Sequence, residues 1–225
     1  MARPAYKALQ EEAYDHLREK IMNGELSYQT IYSESKMAAD LGISRTPLRD
    51  AVHRLFQENL IDIIPNKGFT LHRITEKDVL EVYEVRSAIE GYCAFKAARE
   101  LDTENVQTLL AELDDSMEKM RTIRDTTHDA VAFAMEDERF HTLLIEHSNN
   151  DHFQQIFHSI LYQVRKLAEY TLAKEGRMDT TLAEHQEIID AIRGGHSKGS
   201  YNAVMEHMTV PLKLNMESVY ESDEG

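Results

Sequence analysis

One short stretch of the chain departs from helical periodicity, and it constrains the fold more than any other feature. In "LIDIIPNKGFTLH", the β-like runs Leu60–Ile64 and Phe69–His72 flank the turn-forming residues 65–68, a pattern typical of a β-hairpin. Elsewhere the apolar residues recur at helical spacing, and only four prolines and nine glycines interrupt a chain of 225 residues. The sequence therefore predicts a mainly α-helical protein that contains one small hairpin.

Three helices are predicted before the hairpin, over roughly residues 6–23, 34–41 and 44–59. Ser33 suits the N-cap of the second helix, and Gly42 suits the position that ends it. The third helix is expected to bury Leu48, Ala51, Val52 and Leu55. Two helices, a glycine turn, a third helix and a hairpin follow the order of a winged helix-turn-helix, in which the start of the third helix enters the major groove of DNA.

Everything after the hairpin has a helical pattern. Thr75 opens a long helix with the character of a capping box. Five further helices are predicted near residues 103–124, 128–148, 151–173, 179–193 and 197–219. The pattern changes at about residue 73. We therefore expect an N-terminal winged helix-turn-helix domain over residues 1–73 and an all-α helical-bundle effector domain over residues 74–225.

The formal net charge of −15 is confined to the second of these domains. Residues 1–73 contain ten basic and ten acidic residues, so the whole acidic excess lies in residues 74–225. Because an acidic surface is repelled by phosphate, only the first domain is expected to bind double-stranded DNA. The asymmetry predicts two modules with different partners.

The chain has one cysteine, Cys93, so no internal disulfide is expected, which suits a reducing compartment. It contains no run of about 18 apolar residues, and its start lacks the apolar segment of a secretory signal. We expect a cytoplasmic protein with no membrane partner.

The segment "ISRTPLRD" carries two arginines, Arg45 and Arg49, four residues apart at the start of the third helix. A guanidinium donates two parallel hydrogen bonds to guanine O6 and N7 or binds a phosphate, and nearby hydroxyls suit phosphates or base edges. The same pattern is also explained by an ordinary surface helix whose arginines are solvated. Lys67 would then be a solvated residue of the hairpin turn. The candidate DNA-binding residues are Ser44, Arg45, Thr46, Arg49, Lys67 and Gly68.

Four side chains in the second domain have the types and spacing of a metal site. Asp137 and His141 are i and i+4 on one predicted helix, while His185 and His207 lie amid the apolar residues of two others. Three neutral imidazoles and a carboxylate bind a divalent ion such as Zn²⁺, Ni²⁺ or Mn²⁺. Taken singly, such a histidine is more often a hydrogen-bonded core residue, and Asp137 with His141 also fits a helical ion pair.

The stretch "SESKMAADLGISRTPLRDAVHRLFQENLIDIIPNKGFTLH" resembles the DNA-binding domain of GntR-type bacterial transcription regulators. The resemblance spans about residues 8–73 and implies DNA contacts from Arg45, Thr46, Arg49 and Gly68. The sequence departs from the family pattern in two places. The segment "GELSYQTIYSES" lacks a Pro-Gly that many members have, and Ser35 stands where some members use an arginine.

The stretches "DERFHTLLIEHSNN" and "EHQEIIDAIRGGHSKGSYNAVMEHM" resemble the FCD ligand-binding domain of the FadR subfamily of these regulators, over about residues 75–220. The resemblance implies that a metal ion is bound by Asp137, His141, His185 and His207, and that a carboxylate effector completes its coordination. It also implies effector contacts from Arg86, in "VYEVRSAIEG", and from Asn150. An ion pair with Glu84 or Glu90 explains Arg86 equally well, and a helix-stop role explains Asn150.

We therefore predict a bacterial transcription regulator, a repressor that binds a palindromic operator as a homodimer. A small organic acid, such as a sugar acid, would bind at the metal site and alter operator affinity, and Zn²⁺ is the expected ion. The alternative is a metal-dependent hydrolase with an accessory DNA-binding head. Glu138 and Glu184 adjoin ligands in sequence, but neighbours on a helix point about 100° apart, so neither is expected to face the ion. A purely structural metal without an effector is a third alternative.

Overall fold

The chain folds into two units that divide between Arg73 and Ile74, in a computed structural model that describes residues 3–223. Side chains are described for residues 6–219. The first unit contains α1 (Arg3–Met22), α2 (Glu34–Asp40), α3 (Arg45–Gln57), β1 (Ile61–Ile64) and β2 (Gly68–Leu71). The second contains α4 (Glu76–Arg99), α5 (Glu104–Thr126), α6 (Ala130–Glu146), α7 (Asp151–Leu172), α8 (Arg177–Arg193) and α9 (Ser197–Asp223).

These elements confirm the predicted fold class, a winged helix-turn-helix followed by an all-helical bundle. The strands β1 and β2 form an antiparallel hairpin in which Ile61 pairs with Leu71 and Ile64 pairs with Gly68. They are the only strands of more than one residue within residues 3–223. The hairpin therefore lies where the change of periodicity predicts it.

The first unit is stabilised by apolar side chains that α1, α3 and the hairpin bury together. The fully buried residues of α3 are Leu48, Ala51, Val52 and Leu55. This burial confirms the stripe predicted from their i, i+3, i+4, i+7 spacing. Leu17 and Ile21 of α1 and Phe69 of β2 are also buried. Because the apolar stripe of α3 faces inwards, the polar residues at the start of that helix remain exposed.

A single β-bridge joins the hairpin to the loop before α2. The backbone N–H of Tyr32 donates to the carbonyl of Phe69 at 2.7 Å, and the N–H of Phe69 donates to the carbonyl of Tyr32 at 3.1 Å. The two rings also stack, with their centroids 5.8 Å apart. Tyr32 immediately precedes Ser33, whose side chain caps α2 as predicted. The bridge therefore fixes the hairpin against the start of α2.

Local capping determines where the helices of the second unit begin. Thr75 and Asp78 form the predicted capping box at the start of α4. Helix α6 begins at Ala130, two residues later than predicted, because Asp129 caps it and accepts from two backbone N–H groups. Helix α8 begins at Arg177, two residues earlier than predicted, directly after Gly176 with φ +71°.

The long helices α4 and α9 pack along one another, and α5, α6, α7 and α8 complete the apolar core around them. In α9, Pro211 lacks the N–H that would otherwise donate to the carbonyl of His207 one turn earlier. Among the helices of the described residues, none combines the length and apolar character needed to cross a lipid bilayer.

Gly68→Ala should destabilise the first unit far more than Gly24→Ala. Gly68 has φ +135°, and a Cβ there would lie 2.0 Å from the carbonyl oxygen of Tyr32, whereas Gly24 has φ +71° and open space around the same position. The backbone strain alone costs on the order of 1–2 kcal/mol, which is the loss expected for Gly24→Ala. For Gly68→Ala we expect at least about 3 kcal/mol. Urea unfolding of both variants measures the difference, and equal losses would contradict the steric explanation.

Candidate functional site

A concave surface on the first unit combines the start of α3 with the tip of the hairpin. Its cavity, of about 400 Å³, is lined by Arg45 and Arg49, by residues 63–68 and by residues 33–35. Arg45, Arg49 and Lys67 are exposed, and the described residues provide none of them with an ion-pair partner. Three unpaired cations on one concave surface suit an anionic polymer.

The helix that carries these arginines begins where the sequence predicts. Arg45 is the first residue of α3, and Ser44 has the extended backbone of an N-cap, with φ −74° and ψ 161°. The Ser44 side chain makes no capping hydrogen bond, so its hydroxyl and the first N–H groups of the helix can contact a ligand. Thr46 is exposed in the first turn, while Pro47 is buried.

The interior of the second unit brings four side chains together from three helices, namely Asp137, His141, His185 and His207. One ring nitrogen of each histidine lies within 4.8 Å of the others. His207 Nε2 is 3.3 Å from His141 Nε2. The carboxylate of Asp137 is 3.5 Å from His185 Nε2 and 3.8 Å from His141 Nε2. None of the four residues is more than 5% exposed. Donors of these types at these separations can hold a metal ion.

His185 indicates most directly that this cluster fits a cation. The residue is fully buried, yet neither of its ring nitrogens has a hydrogen-bond partner among the described residues. Its ring stacks on that of Phe140, with centroids 3.9 Å apart and planes 1° from parallel. Because an unpartnered buried imidazole is costly, a metal ion that accepts the lone pair of Nε2 would remove part of that cost.

A buried ion pair on α4 contacts His141. Arg86 Nε donates to Glu90 Oε1 at 2.7 Å, and Glu90 Oε2 lies 2.5 Å from His141 Nδ1. Glu90 is fully buried and Arg86 is 3% exposed. The ion pair that offers the alternative explanation of Arg86 is therefore present. Arg86 Nη2, however, has no hydrogen-bond partner within the described residues, so one donor remains available.

A second pair, on α8, contacts His207. Arg177 donates two hydrogen bonds of 2.7 Å to Glu184, and Glu184 Oε2 lies 2.7 Å from His207 Nδ1. Burial acts to raise the pKa of Glu184, but the hydrogen bonds from His207 and Arg177 lower it to about 2. The spacing of residues within α8 does not predict this contact between Glu184 and His207, because His207 lies on α9. Glu138, the other glutamate beside a ligand, accepts hydrogen bonds of 2.7 and 2.9 Å from Arg165.

Burial determines the protonation of the four-residue cluster. It raises the pKa of Asp137 to about 7, although Arg86 and Arg177 act in the opposite direction. It also lowers the pKa of all three histidines, in His141 and His185 to well below the usual value. The imidazoles are therefore neutral at neutral pH, which is the form that binds a metal ion.

Asn150, the second predicted effector contact, caps α7 in the structure. Its side-chain oxygen accepts from the backbone N–H groups of His152 and Phe153. This contact matches the helix-end explanation, and a contact of Asn150 with an effector stays a prediction.

No sequence pattern predicts a site role for Glu90, Arg177 or Phe140. Arg86 and Glu90 are i and i+4 in an otherwise largely apolar stretch of α4, which was a usable signal for a buried ion pair. Arg177 and Phe140 carry no comparable local signal, because their partners lie on other turns or other helices.

Comparison with known proteins identifies both units. Residues 9–71 match the family described as "Bacterial regulatory proteins, gntR family", and residues 81–210 match the "FCD domain". The first match covers most of α1 and the elements from α2 to β2, and the second covers the bundle from α4 to the first half of α9. The two matches confirm the resemblance found in the sequence.

Similar proteins are bacterial regulators. The chain is 26% identical over 196 residues to the "Uncharacterized HTH-type transcriptional regulator YdhC" of Bacillus subtilis, which covers 86% of this chain and 85% of that protein. It is 29% identical over 186 residues to the "Gluconate operon transcriptional repressor" of Bacillus subtilis, over 80% of this chain and 74% of that protein. The solved structure of E. coli McbR/YncC superposes with a TM-score of 0.70 at 19% identity, over 95% of this chain and 98% of that chain. At that identity the match shows the fold.

In the metal-free protein, the buried carboxyl of Asp137 should make stability fall as the pH rises. Its folded-state pKa of about 7 lies well above the ordinary value of about 4 for an aspartate in an unfolded chain. The contribution of the protonated carboxyl is therefore fully present below about pH 4 and lost as the pH rises through about 7. We expect the free energy of unfolding of the wild type, relative to Asp137→Asn, to fall by up to about 4 kcal/mol over this range.

Urea unfolding with a chelator, at a series of pH values, measures this difference. The buried histidines are common to both proteins, so their titration largely cancels in the comparison. Parallel stability curves for the wild type and Asp137→Asn would show that the carboxyl is ionised throughout.

Proposed function

The chain belongs to the GntR family of bacterial regulatory proteins and carries an FCD domain, and we propose that it is a transcriptional repressor controlled by an organic acid bound at a metal ion. One relative is named a transcriptional repressor of a gluconate operon. The observation that carries the proposal is the buried cluster of one carboxylate and three neutral imidazoles in a chain whose other unit presents unpaired arginines. The cluster suits a metal and its ligand, and the arginines suit DNA.

In the DNA-binding unit, we expect Arg45 and Arg49 to contact base edges in the major groove, and the hydroxyls of Ser44 and Thr46 to contact phosphates. Lys67 and the adjacent Gly68 at the hairpin tip would contact the DNA backbone or the minor groove. Residues 1–73 have no net charge, so affinity depends on this local cluster of cations. A homodimer would present two such surfaces to a palindromic operator.

In the FCD unit, the ion would be held by Asp137, His141, His185 and His207. Zn²⁺ fits this set best because it favours sites rich in imidazole and can expand from four to five ligands, whereas Mn²⁺ favours more oxygen ligands and Ni²⁺ favours other geometries. When bound, the ion would supply a Lewis acid to which a carboxylate can bind. The surrounding bundle holds the imidazoles neutral and keeps bulk water away from them.

The buried charges around the site favour an anionic effector. Arg86 and Arg177 carry two positive charges, while Glu90, Glu184 and an ionised Asp137 carry three negative ones. A divalent ion would leave this set with one net positive charge, which one carboxylate neutralises. Because net charge is costly in a protein interior, we expect the effector to place a single carboxylate at the ion. Arg86 Nη2, which lacks a partner among the described residues, is the donor that we expect the effector to engage.

Hydrolysis is not favoured by the same geometry, and we propose no catalytic activity. A metal hydrolase needs a carboxylate near the ion that can accept a proton. Glu138 is already bound by Arg165, and Glu184 is bound by Arg177 and His207. Neither glutamate is therefore a free base.

Arg45→Ala and Arg49→Ala should each weaken operator binding by about 1–3 kcal/mol, the cost of one lost bidentate base contact. The operator can be a duplex that the wild-type protein selects from a random-sequence library, and fluorescence anisotropy at several salt concentrations gives the affinity. A lost base contact relaxes sequence preference at one position, whereas a lost phosphate contact weakens all sequences and lowers the salt dependence. Normal affinity in both variants would refute the assignment of these arginines.

Arg54→Met is the matched control for this experiment. Arg54 also lies on α3, but it donates to Glu11 at 3.0 Å, and its guanidinium lies 3.6 Å from the ring centroid of Tyr14. This variant should keep wild-type DNA affinity below its melting temperature. If Arg54→Met loses as much affinity as Arg45→Ala, the proposed recognition face is wrong.

Organic acids should stabilise the zinc-loaded protein but not the chelator-treated protein. A ligand at 100 times its Kd adds about 2.7 kcal/mol to the free energy of unfolding, which raises the melting temperature of such a chain by several degrees. Differential scanning fluorimetry with a panel of sugar acids and other carboxylic acids measures this rise, with the corresponding alcohols as controls. Stabilisation that survives metal removal would contradict a metal-bound effector. Zinc that stabilises the protein while no acid adds to the effect would favour a purely structural ion.

A further inference from the structure

Two of the three imidazoles in the buried cluster are contacted by glutamates on the side that faces away from the other imidazole. Glu90 Oε2 lies 2.5 Å from His141 Nδ1, and Glu184 Oε2 lies 2.7 Å from His207 Nδ1. Each glutamate is in turn bound by an arginine of its own helix. The Nε2 atoms of the two histidines face each other at 3.3 Å.

We propose that Glu90 and Glu184 are positioning residues that fix the tautomers of His141 and His207. In the proposed arrangement each glutamate accepts the Nδ1 hydrogen of its imidazole, so that the lone pair of Nε2 is directed to the place where the ion would bind. Glu184 makes this hydrogen bond to His207 in the structure. Glu90 Oε2 lies 2.5 Å from His141 Nδ1, but the angle of this contact is not that of a hydrogen bond, so Glu90 has to turn slightly to accept the hydrogen. Metal-binding histidines in proteins are commonly oriented by a carboxylate in this way. The inference rests on the proposed metal site and assigns two residues outside the four ligands to it.

The short distance between the two Nε2 atoms explains why the tautomers need to be fixed. Without a glutamate, one imidazole could move its hydrogen to Nε2 and donate it to the other imidazole across 3.3 Å. That hydrogen bond would satisfy both Nε2 atoms and close the site to a cation. With both hydrogens held on Nδ1, two lone pairs face each other, which is unfavourable until a cation lies between them. The glutamates therefore favour the metal-binding arrangement over the self-paired one.

The arginines make these glutamate charges tolerable in the interior. Glu90 is fully buried, and an ionised carboxylate there needs both a counter-charge and hydrogen bonds. Arg86 supplies both at 2.7 Å, and Arg177 supplies two hydrogen bonds of 2.7 Å to Glu184.

His185 is placed differently from the other two histidines. Among the described residues no glutamate forms an ion pair with His185, whose ring instead stacks on Phe140. Packing rather than charge therefore orients this imidazole. Its tautomer should be insensitive to the removal of either glutamate.

Glu90→Gln and Glu184→Gln test the inference because glutamine keeps the shape of the side chain and removes its charge. We expect each variant to bind Zn²⁺ about 10–100-fold more weakly than the wild type, in competition with a chromogenic chelator. Glu138→Gln is the matched control. Glu138 also binds an arginine, Arg165, and lies beside a proposed ligand in sequence, but its carboxylate binds that arginine rather than an imidazole.

The histidine tautomers of the metal-free protein provide a second readout, which needs no metal. Two-bond proton–nitrogen correlation spectra of protein labelled with nitrogen-15 in histidine distinguish Nδ1–H from Nε2–H. The wild type should show His141 and His207 with the hydrogen on Nδ1, as assigned from single histidine substitutions. Glu90→Gln should move the hydrogen of His141 to Nε2, and Glu184→Gln should do the same for His207.

The inference is overturned if both glutamine variants keep the wild-type tautomers, or if their zinc affinity falls no further than that of Glu138→Gln. Glu90→Gln leaves the charge of Arg86 without its buried partner. If this variant does not fold, Glu184→Gln decides the question alone, since the side chain of Glu184 is 22% exposed and its replacement disturbs the interior less. Wild-type protein that binds no zinc would refute the proposed metal site, while the metal-free tautomers would still decide the role of the two glutamates.

Discussion

The interior of the FCD unit contains ionised groups that require one another. Moving a single charge from water into a protein interior costs several kcal/mol, so Arg86, Glu90, Arg177 and Glu184 are tolerated as pairs and not singly. Each pair lies within one helix, with its hydrogen bonds at 2.7 Å. Each helix therefore buries a pair of opposite charges and not a single charge. The oxygen atoms of the glutamates that are not fully used by the arginines can then contact side chains of other helices.

Those remaining contacts join four helices at one place. Glu90 on α4 meets His141 on α6, and Glu184 on α8 meets His207 on α9. The apolar faces of the same helices supply most of the buried surface, but apolar contacts tolerate small shifts that a 2.7 Å polar contact does not. The polar cluster therefore defines the relative positions of these helices more closely than the apolar core does. Pro211 lies one turn beyond His207 and leaves that part of α9 with one fewer backbone hydrogen bond.

The parts of the fold that follow from local periodicity were predictable, and the parts that follow from contacts between helices were not. Leu48 and Leu55 share one face of α3, and Arg49 lies about 100° from Leu48 around the helix, so the exposure of Arg49 follows from the helical period. Arg45 lies only about 60° from Leu48 and is exposed because it is the first residue of the helix. The capping box of Thr75 is likewise local. Ser44 has the backbone conformation of an N-cap but makes no capping hydrogen bond. The residue type shows that its hydroxyl can cap the helix, but not whether it does so.

The site shows the same division. The i, i+4 spacing of Asp137 and His141 predicts that two ligands share one face of a helix. The apolar residues around His185 and His207 predict that these two side chains face the interior. The contact between Glu90 and His141 depends on how α4 packs on α6, and no periodicity within either helix encodes it. For Glu184, the rotation of about 100° between neighbouring residues of a helix predicts only that its side chain points away from that of His185. It does not predict that the side chain extends to His207 on α9.

One side chain links the proposed effector to the proposed metal site. Arg86 donates Nε to Glu90 and keeps Nη2 without a partner among the described residues. An effector carboxylate that engages Nη2 shares the positive charge that stabilises Glu90, and Glu90 contacts His141. Metal binding and effector binding would then affect each other through three consecutive contacts, and linkage requires the two effects to be equal in size. A coupling of about 1–3 kcal/mol is typical between such sites and changes an affinity by roughly 5–150-fold. An effector that stabilises the metal cluster by this amount also stabilises the helices that carry it. Operator affinity changes only if the effector stabilises the DNA-bound and the free forms of the protein by different amounts.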